Sequence, residues 1–241
     1  MRHPVAHTAT AVRGDHIHHI LALGVAIPVI YFGIQLAAAP FHPGYSFFSR
    51  DASSLGSSGS TAPWVFNLGA LILGILKVIV ARAFLTALPR AGVGRGLTAL
   101  TALALASAGI SSLNAFLHPL PDPRHTEGLL SILGSVFLLL PVVTSAILWR
   151  LRARRYAVVN VVVGLALIPI MTGLIQRGCI SSGSDCVGYQ FFLNNYHGLI
   201  QRIGAAVVFV PIGVIAHLLR SRRDDRARFR SDVDFRGTSA K

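Results

Sequence analysis

Three side chains that can bind a metal ion occur close together in this sequence. His118, Asp122 and His125 lie in the segment His-Pro-Leu-Pro-Asp-Pro-Arg-His, whose prolines keep it from forming a regular helix. With His197 as a further ligand, these groups would suit a zinc ion that activates water for hydrolysis. The alternative is that the same side chains are solvated or paired in a surface loop. The candidate metal ligands are His118, Asp122, His125 and His197.

A second group of polar residues falls where the long apolar segments of the chain end. Polar groups at the boundary of a membrane are costly to desolvate without partners, so they often belong to a site. One interpretation is an outward-facing pocket in which Arg202 pairs with Glu127 or Asp122. The other is that these residues cap helix ends and hold the loops down. The candidate ligand-binding residues are Asn67, Asn114, Asp122, Glu127, His197, Gln201 and Arg202.

Both cysteines of the chain, Cys179 and Cys186, lie in one Gly- and Ser-rich segment. Outside the cell, where thiols oxidise, this arrangement predicts a disulfide bond that ties down the loop between the fifth and sixth apolar segments. A redox-active pair or a metal site is less favoured, because the spacing is not Cys-x-x-Cys and no second cysteine pair is present.

The composition indicates what kind of structure holds these residues. The chain has 241 residues, 53% hydrophobic and 13% charged, with a mean hydropathy of +0.61 and a net charge of +13. Soluble domains carry about 25% charged residues. A nucleic-acid-binding domain with a pI near 11.3 would have a lower hydrophobic content. A disordered basic chain would also have a lower hydrophobic content. The composition therefore predicts an integral membrane protein.

Six apolar segments are long enough to cross a bilayer as helices, since one span takes about 20 residues. Their apolar runs are continuous, whereas the strands of a membrane barrel alternate. The predicted fold is all-α: a six-helix transmembrane domain over residues 17–219, an N-terminal tail over 1–16 and a basic C-terminal tail over 220–241. The predicted spans are Ile17–Ala39, Trp64–Thr86, Leu97–Leu117, Glu127–Trp149, Tyr156–Gln176 and Tyr196–Leu219.

The distribution of charge predicts the orientation of this bundle. The two tails and the second-to-third and fourth-to-fifth connections carry 18 Lys and Arg and 5 acids, whereas the other connections carry 4 of each. The excess of Lys and Arg marks the cytoplasmic side. We therefore expect a multi-pass protein of the cell membrane with both termini in the cytoplasm.

Lys77 lies inside the second predicted span. The favoured interpretation is that its long side chain snorkels to the inner edge of the membrane. The alternative is a buried cation with a functional role.

Several short motifs resemble those of the family called domain of unknown function 998, bacterial and archaeal proteins with six predicted spans. They are Ser53-Ser-Leu-Gly56, Trp64-Val-Phe-Asn67, the His118–His125 segment, and Gly198-Leu-Ile-Gln-Arg202. The resemblance implies the six-span architecture and the outer polar cluster, but no activity. The family shows Phe-Pro where this chain has His118-Pro119, and Glu where it has Gln201. The second departure puts in doubt any chemistry that depends on a Glu–Arg pair.

The sequence favours a non-enzymatic membrane protein that binds a lipid or another amphiphile at the outward-facing polar pocket, with no cofactor. The alternatives are a membrane-embedded metal-dependent hydrolase and, less favoured, a small-solute transporter, which would place polar groups near the middle of the bilayer. We expect membrane lipids and an unidentified small-molecule ligand as partners, and no nucleic acid. Self-association stays open.

Overall fold

A computed structural model of the protein describes the backbone of residues 5–171 and 187–238, and the side chains of residues 16–167 and 195–222. Within these ranges the regular structure is helical and contains no strand, which confirms the all-α prediction. Short 3-10 helices cover Ala39–Phe41, Ala52–Gly56 and Ser135–Leu139. The α-helices are α1 (Val5–Ala38), α2 (Pro63–Arg90), α3 (Arg95–Leu117), α4 (Arg124–Glu127), α5 (Leu129–Gly134), α6 (Leu140–Arg150), α7 (Arg154–Met171) and α8 (Val187–Thr238).

Five helical segments in the described part of the chain are long and apolar enough to cross a membrane. Each overlaps one of the six predicted spans. The remaining predicted span, Tyr156–Gln176, begins within α7 and continues into residues outside the described ranges. The five segments are His16–Phe41, Pro63–Arg90, Arg95–Leu117, Leu129–Arg150 and Asn195–Arg222.

Helix α2 shows why the bundle suits a lipid environment. One face packs inward through residues such as Leu73 and Val80, which are 4% and 0% exposed. The opposite face carries Leu68, Ile72 and Ile75, which are about half exposed. A helix that is apolar all round must be buried, either in a protein core or in a membrane. The outward apolar face of α2 therefore fits contact with lipid tails.

Helices α2 and α3 pack with their backbones close together at a pair of glycines. A Cβ atom on Gly74 would lie 3.0 Å from the carbonyl oxygen of Gly109, and one on Gly109 would lie 2.8 Å from that of Gly74. Ala104 and Ala108 continue the same buried face of α3. Small residues permit this approach, and it supplies the van der Waals contact that holds helices together in lipid.

The fourth span is interrupted by the 3-10 helix Ser135–Leu139, which ends two residues before Pro141. Pro141 lacks an N–H group and its ring would crowd the carbonyl of Phe137, four residues earlier. The backbone tightens there instead, and the Leu140 N–H bonds to the Phe137 oxygen. The Ser107 hydroxyl of α3 donates to the carbonyls of Leu133 and Gly134, both at 2.7 Å, so carbonyls just before the break gain a partner.

A buried amide joins α6 to α7. Asn160 donates to the carbonyl of Pro141 at 2.9 Å, and its nitrogen also contacts the hydroxyls of Thr144 and Ser145. All these groups lie away from solvent. In lipid, a polar side chain is stable when it is paired within the protein.

The helices follow one another around the bundle, from α1 to α2, α3, α5 and α6, α7, α8 and back to α1. Because successive spans alternate in direction, the connections 39–62 and 118–128 share one end, which we call the loop end. The turns 91–94 and 151–153 share the other end, which we call the basic end because Arg90, Arg95 and Arg150 flank these turns. At the basic end, Arg222 of α8 donates to the carbonyl of Leu151 at 3.0 Å.

The contact between α2 and α3 generates a prediction. Gly109→Ala places a methyl group against the Gly74 carbonyl, so we expect a loss of about 1–3 kcal/mol of stability. Gly96→Ala, where a Cβ meets nothing within 4 Å, is the matched control. It should leave stability within about 0.5 kcal/mol of the wild type, because Gly96 lies in the first turn of α3 with open space beside it. Thermal unfolding in detergent measures both variants, and equal melting temperatures would contradict this account of the packing.

Candidate functional site

Arg202 of α8 holds the connection between α1 and α2. Its Nη1 donates to the carbonyls of Phe47 at 2.8 Å, Arg50 at 3.0 Å and Gly198 at 2.6 Å. Its Nη2 donates to the Tyr45 hydroxyl, and the guanidinium lies 4.9 Å from the centre of the Phe47 ring. Only the planar fork of an arginine offers this many donors at once.

One of the two interpretations of the polar residues, an ion pair between Arg202 and Glu127 or Asp122, is wrong. Arg202 bonds to backbone carbonyls instead, because the connection carries these acceptors directly against α8. Asp122 bonds to Arg124, and Glu127 is exposed at the surface.

Tyr45, a residue of the same connection, is a further partner of Arg202. Its hydroxyl donates to the Asp51 carbonyl at 3.2 Å while accepting from Arg202. Burial of the ring raises the pKa of Tyr45, and the charge of Arg202 opposes this rise. The phenol therefore acts as a neutral donor and acceptor within the loop.

The neighbours of Arg202 on α8 hold the next part of this connection. Gln201 accepts a hydrogen bond from the Ala52 N–H at 2.7 Å, and His197 Nδ1 lies 2.7 Å from Asp51 Oδ1. A side chain on Gly198 would collide with the Arg50 carbonyl. The motif Gly198-Leu-Ile-Gln-Arg202 thus holds the connection in place through hydrogen bonds to its backbone. In this contact with the described connection Gln201 is the acceptor, and a glutamate carboxylate could accept the same bond.

Asn67 fastens the 3-10 helix Ala52–Gly56 to the start of α2. Its Nδ2 donates to the Gly56 carbonyl at 3.1 Å. A side chain on Gly56 would collide with Asn67 and with the Phe66 ring. The two motifs that contain these residues, Ser53–Gly56 and Trp64–Asn67, therefore meet in space.

Asp122 organises the connection between α3 and α4. Its carboxylate accepts two hydrogen bonds from the Arg124 guanidinium, at 3.1 and 2.8 Å, and a third from the Arg124 backbone N–H at 2.9 Å. These bonds hold the pKa of the Asp122 carboxyl well below its usual range and raise the pKa of Arg124. His118 Nδ1 lies 3.4 Å from the same carboxylate. The ion pair of Asp122 and Arg124 lies at the surface and fixes the geometry of this connection.

Asn114 ties α3 to α4 from inside the bundle. Its Nδ2 donates to the carbonyl of His125 at 2.9 Å, and His125 Nδ1 lies 2.8 Å from the His118 carbonyl oxygen. Asn114 is 3% exposed, and its Oδ1 has no hydrogen-bond partner among the described residues.

The predicted metal ligands are not assembled into one site by the described structure. His118 and Asp122 contact each other, but His125 turns its Nδ1 to a carbonyl and His197 pairs with Asp51. Within the described ranges, no three His, Cys, Asp or Glu side chains are placed to hold a metal ion. Cys179 and Cys186 lie outside the described residues, so the disulfide stays a prediction.

A cavity of about 230 Å³ lies beneath these loop contacts, between α1, α2, α3 and α8. Toward the loop end its lining includes Ser53, Asn114, His125 and Gln201. Most of the remaining lining is apolar or small, and its deep wall includes Lys77. Of the predicted ligand-binding residues, Asn114 and Gln201 line the cavity. Asn67, Asp122, His197 and Arg202 bond to the connections around it, as described above.

Lys77 does not snorkel to the basic end. The side chain is 1% exposed, and its Nζ donates to the Ser112 hydroxyl at 2.7 Å and lies 4.1 Å from the centre of the Phe209 ring. Side chains tilt toward the N-terminus of their helix, and the N-terminus of α2 is at the loop end. The lysine therefore points away from the basic end. Ser112, in the small-residue face of α3, is the signal that sequence reasoning missed.

The grip of α8 on the connection generates a prediction. Gln201→Leu removes the acceptor of the Ala52 N–H, whose unpaired state costs about 1–3 kcal/mol, so hydrogen exchange at this amide should accelerate about tenfold. Gln201→Glu is the matched control, because the carboxylate still accepts the bond, and exchange should stay near the wild-type rate. Hydrogen–deuterium exchange of residues 45–56 measures both. Fast exchange in Gln201→Glu would show that position 201 does more than accept this bond.

Comparison with known proteins gives a family and no activity. No curated protein and no solved structure matches the chain. The family described as "Protein of unknown function (DUF998)" matches residues 25–218, a range that contains the loop contacts and the cavity. The match confirms the resemblance noted from the short motifs, and the chain belongs to the DUF998 family.

Proposed function

We propose that this protein binds a lipid or another amphiphile in the cavity at the loop end, on the outer side of the cell membrane, without catalysing a reaction. The observation that supports the proposal is the cavity itself, which lies among membrane-type helices and joins an apolar lining to a few polar groups. Ligand pockets typically have this composition.

The size of the cavity limits which part of an amphiphile it holds. Pockets for drug-sized ligands measure about 300–1,000 Å³, and this cavity measures about 230 Å³. It therefore accepts a polar group with a short apolar stretch. The rest of an apolar chain would lie along the outward apolar faces of the helices, such as the one formed by Leu68 and Ile72 on α2.

The orientation in this proposal rests on charge. Six spans put both termini on one side, and α7, with 18 residues in the described range, supplies the start of the fifth span. Helix α8 has 52 residues, or about 78 Å at 1.5 Å per residue, and a bilayer core is about 30 Å thick. Its basic C-terminal part must leave the membrane, where arginines are attracted to the anionic inner leaflet.

Cysteine labelling tests this orientation. In a Cys179→Ser, Cys186→Ser background, Ser58→Cys at the loop end should react with a membrane-impermeant maleimide on intact cells. Gly94→Cys at the basic end should react only after permeabilisation. Both positions lie in connections outside the spans. Labelling of Gly94→Cys on intact cells would contradict the proposed orientation and indicate the opposite one.

Filling the cavity tests the binding. Ala115→Phe puts a ring into the cavity lining, so it should abolish the retention of lipid that co-purifies with the wild type. Leu103→Phe, on the exposed face of the same helix, is the matched control and should retain the lipid. Native mass spectrometry of both purified variants measures the bound species. A wild type that retains no lipid, or equal retention by Ala115→Phe, would contradict the proposal.

A further inference from the structure

We infer that the ligand of this cavity carries an acidic group, a carboxylate or a phosphate, and that this group binds Lys77. The inference rests on the proposed binding of an amphiphile and narrows the ligand to an acidic class.

The first argument is the isolation of the Lys77 charge. Its described contacts are the Ser112 hydroxyl, the Ala108 carbonyl at the limit of hydrogen-bond distance and the Phe209 ring, which are all neutral. A cation in a membrane bundle is costly without a counter-charge, and a cation–π contact offsets only part of that cost. Lys77 is therefore an amine whose positive form lacks a counter-charge among its described contacts, and a bound anion would stabilise that form.

The second argument is that the described carboxylates are engaged or positioned elsewhere. Asp51 contacts His197, and Asp122 bonds to Arg124. Glu127 is exposed at the surface. None of these three is within ion-pair distance of Lys77. Since none of the described carboxylates pairs with Lys77, a bound ligand is the source of the anion in this proposal.

The third argument is that the cavity gives an anion access to the lysine. Lys77 and Ser112 both line it, and small side chains such as Ala70 and Ala205 leave room beside them. Arg202 does not compete for the ligand, because it is not part of the cavity lining and its Nη atoms bond to backbone carbonyls and to the Tyr45 hydroxyl. A carboxylate or phosphate could thus accept charge-assisted hydrogen bonds from the ammonium and from the serine hydroxyl.

A second buried polar atom, beside the cavity, supports a polar ligand. The Asn114 side chain lines it, and its Nδ2 faces the carbonyl of His125, which settles the orientation of the amide. The Oδ1 atom is left buried without a partner among the described residues. An acceptor in this state suits a hydroxyl group on the same ligand.

Three probes with the same chain test the inference: octanoate, octyl phosphate and octanol. Titration of the delipidated protein, followed by native mass spectrometry, should give at least one acid an affinity about tenfold or more above that of octanol, as expected for a charge-assisted bond. Lys77→Met should remove this preference and leave octanol binding unchanged. Arg82→Met, which removes a cation from the exposed face of the same helix, should keep it.

The outcomes separate the two proposals. If octanol and both acids bind equally, or if Lys77→Met keeps the preference, the inference is overturned while amphiphile binding stands. If none of the three probes binds, the proposed function fails as well. A preference for octanoate over octyl phosphate, or the reverse, identifies the acidic group.

A second measurement keeps the test decisive if Lys77→Met does not fold. The chain contains only two lysines, Lys77 and Lys241. In Lys241→Arg protein labelled with 15N-lysine, the side-chain nitrogen gives a single resonance from Lys77. Octanoate or octyl phosphate should shift it clearly more than octanol does. A resonance that ignores both acids would overturn the inference.

Discussion

Hydrocarbon offers no hydrogen bonds, so a helix bundle in lipid must pair its polar groups internally. The described structure meets this constraint in different ways along the bundle. Asn160 joins α6 to α7 through a carbonyl and two hydroxyls. Ser107 covers the carbonyls next to the 3-10 break in the fourth span. Lys77 meets the constraint only in part, because its neighbours are polar but uncharged.

The same constraint explains the division of labour at the loop end. Arg202 and Gln201 direct their polar atoms to backbone groups of the connection between α1 and α2. Asn67 and Asn114 do the same for the Gly56 and His125 carbonyls. These contacts seal the irregular segments over the bundle, and a cavity lies beneath them. Most of the loop-end polar residues thus lie around the cavity, whereas Lys77 forms part of its deep wall.

Close packing of α2 against α3 brings Lys77 within reach of Ser112. The glycine pair Gly74 and Gly109 brings the backbones of α2 and α3 together. Lys77 and Ser112 each lie three residues after one of these glycines, and because α2 and α3 are antiparallel they lie on opposite sides of the glycine contact. The long Lys77 side chain tilts toward the N-terminus of α2 and spans this distance to donate to the Ser112 hydroxyl. A bulky residue at either glycine would separate the helices and with them the ammonium and hydroxyl groups.

The sequence by itself determined the helices, because apolar runs of about 20 residues can satisfy their backbone in lipid only as helices. The predicted segment Leu97–Leu117, for example, corresponds to α3 at Arg95–Leu117. It also identified the family through short motifs and pointed to the loop-end polar residues. Sequence reasoning could not find the partners of Arg202, since Phe47 and Tyr45 lie more than 150 positions away. It also predicted that the Lys77 side chain extends to the edge of the membrane, whereas the side chain lies inside the bundle against Ser112. Only the tertiary structure decided these points, because the energy of a buried polar group depends on which neighbours the packed helices bring to it.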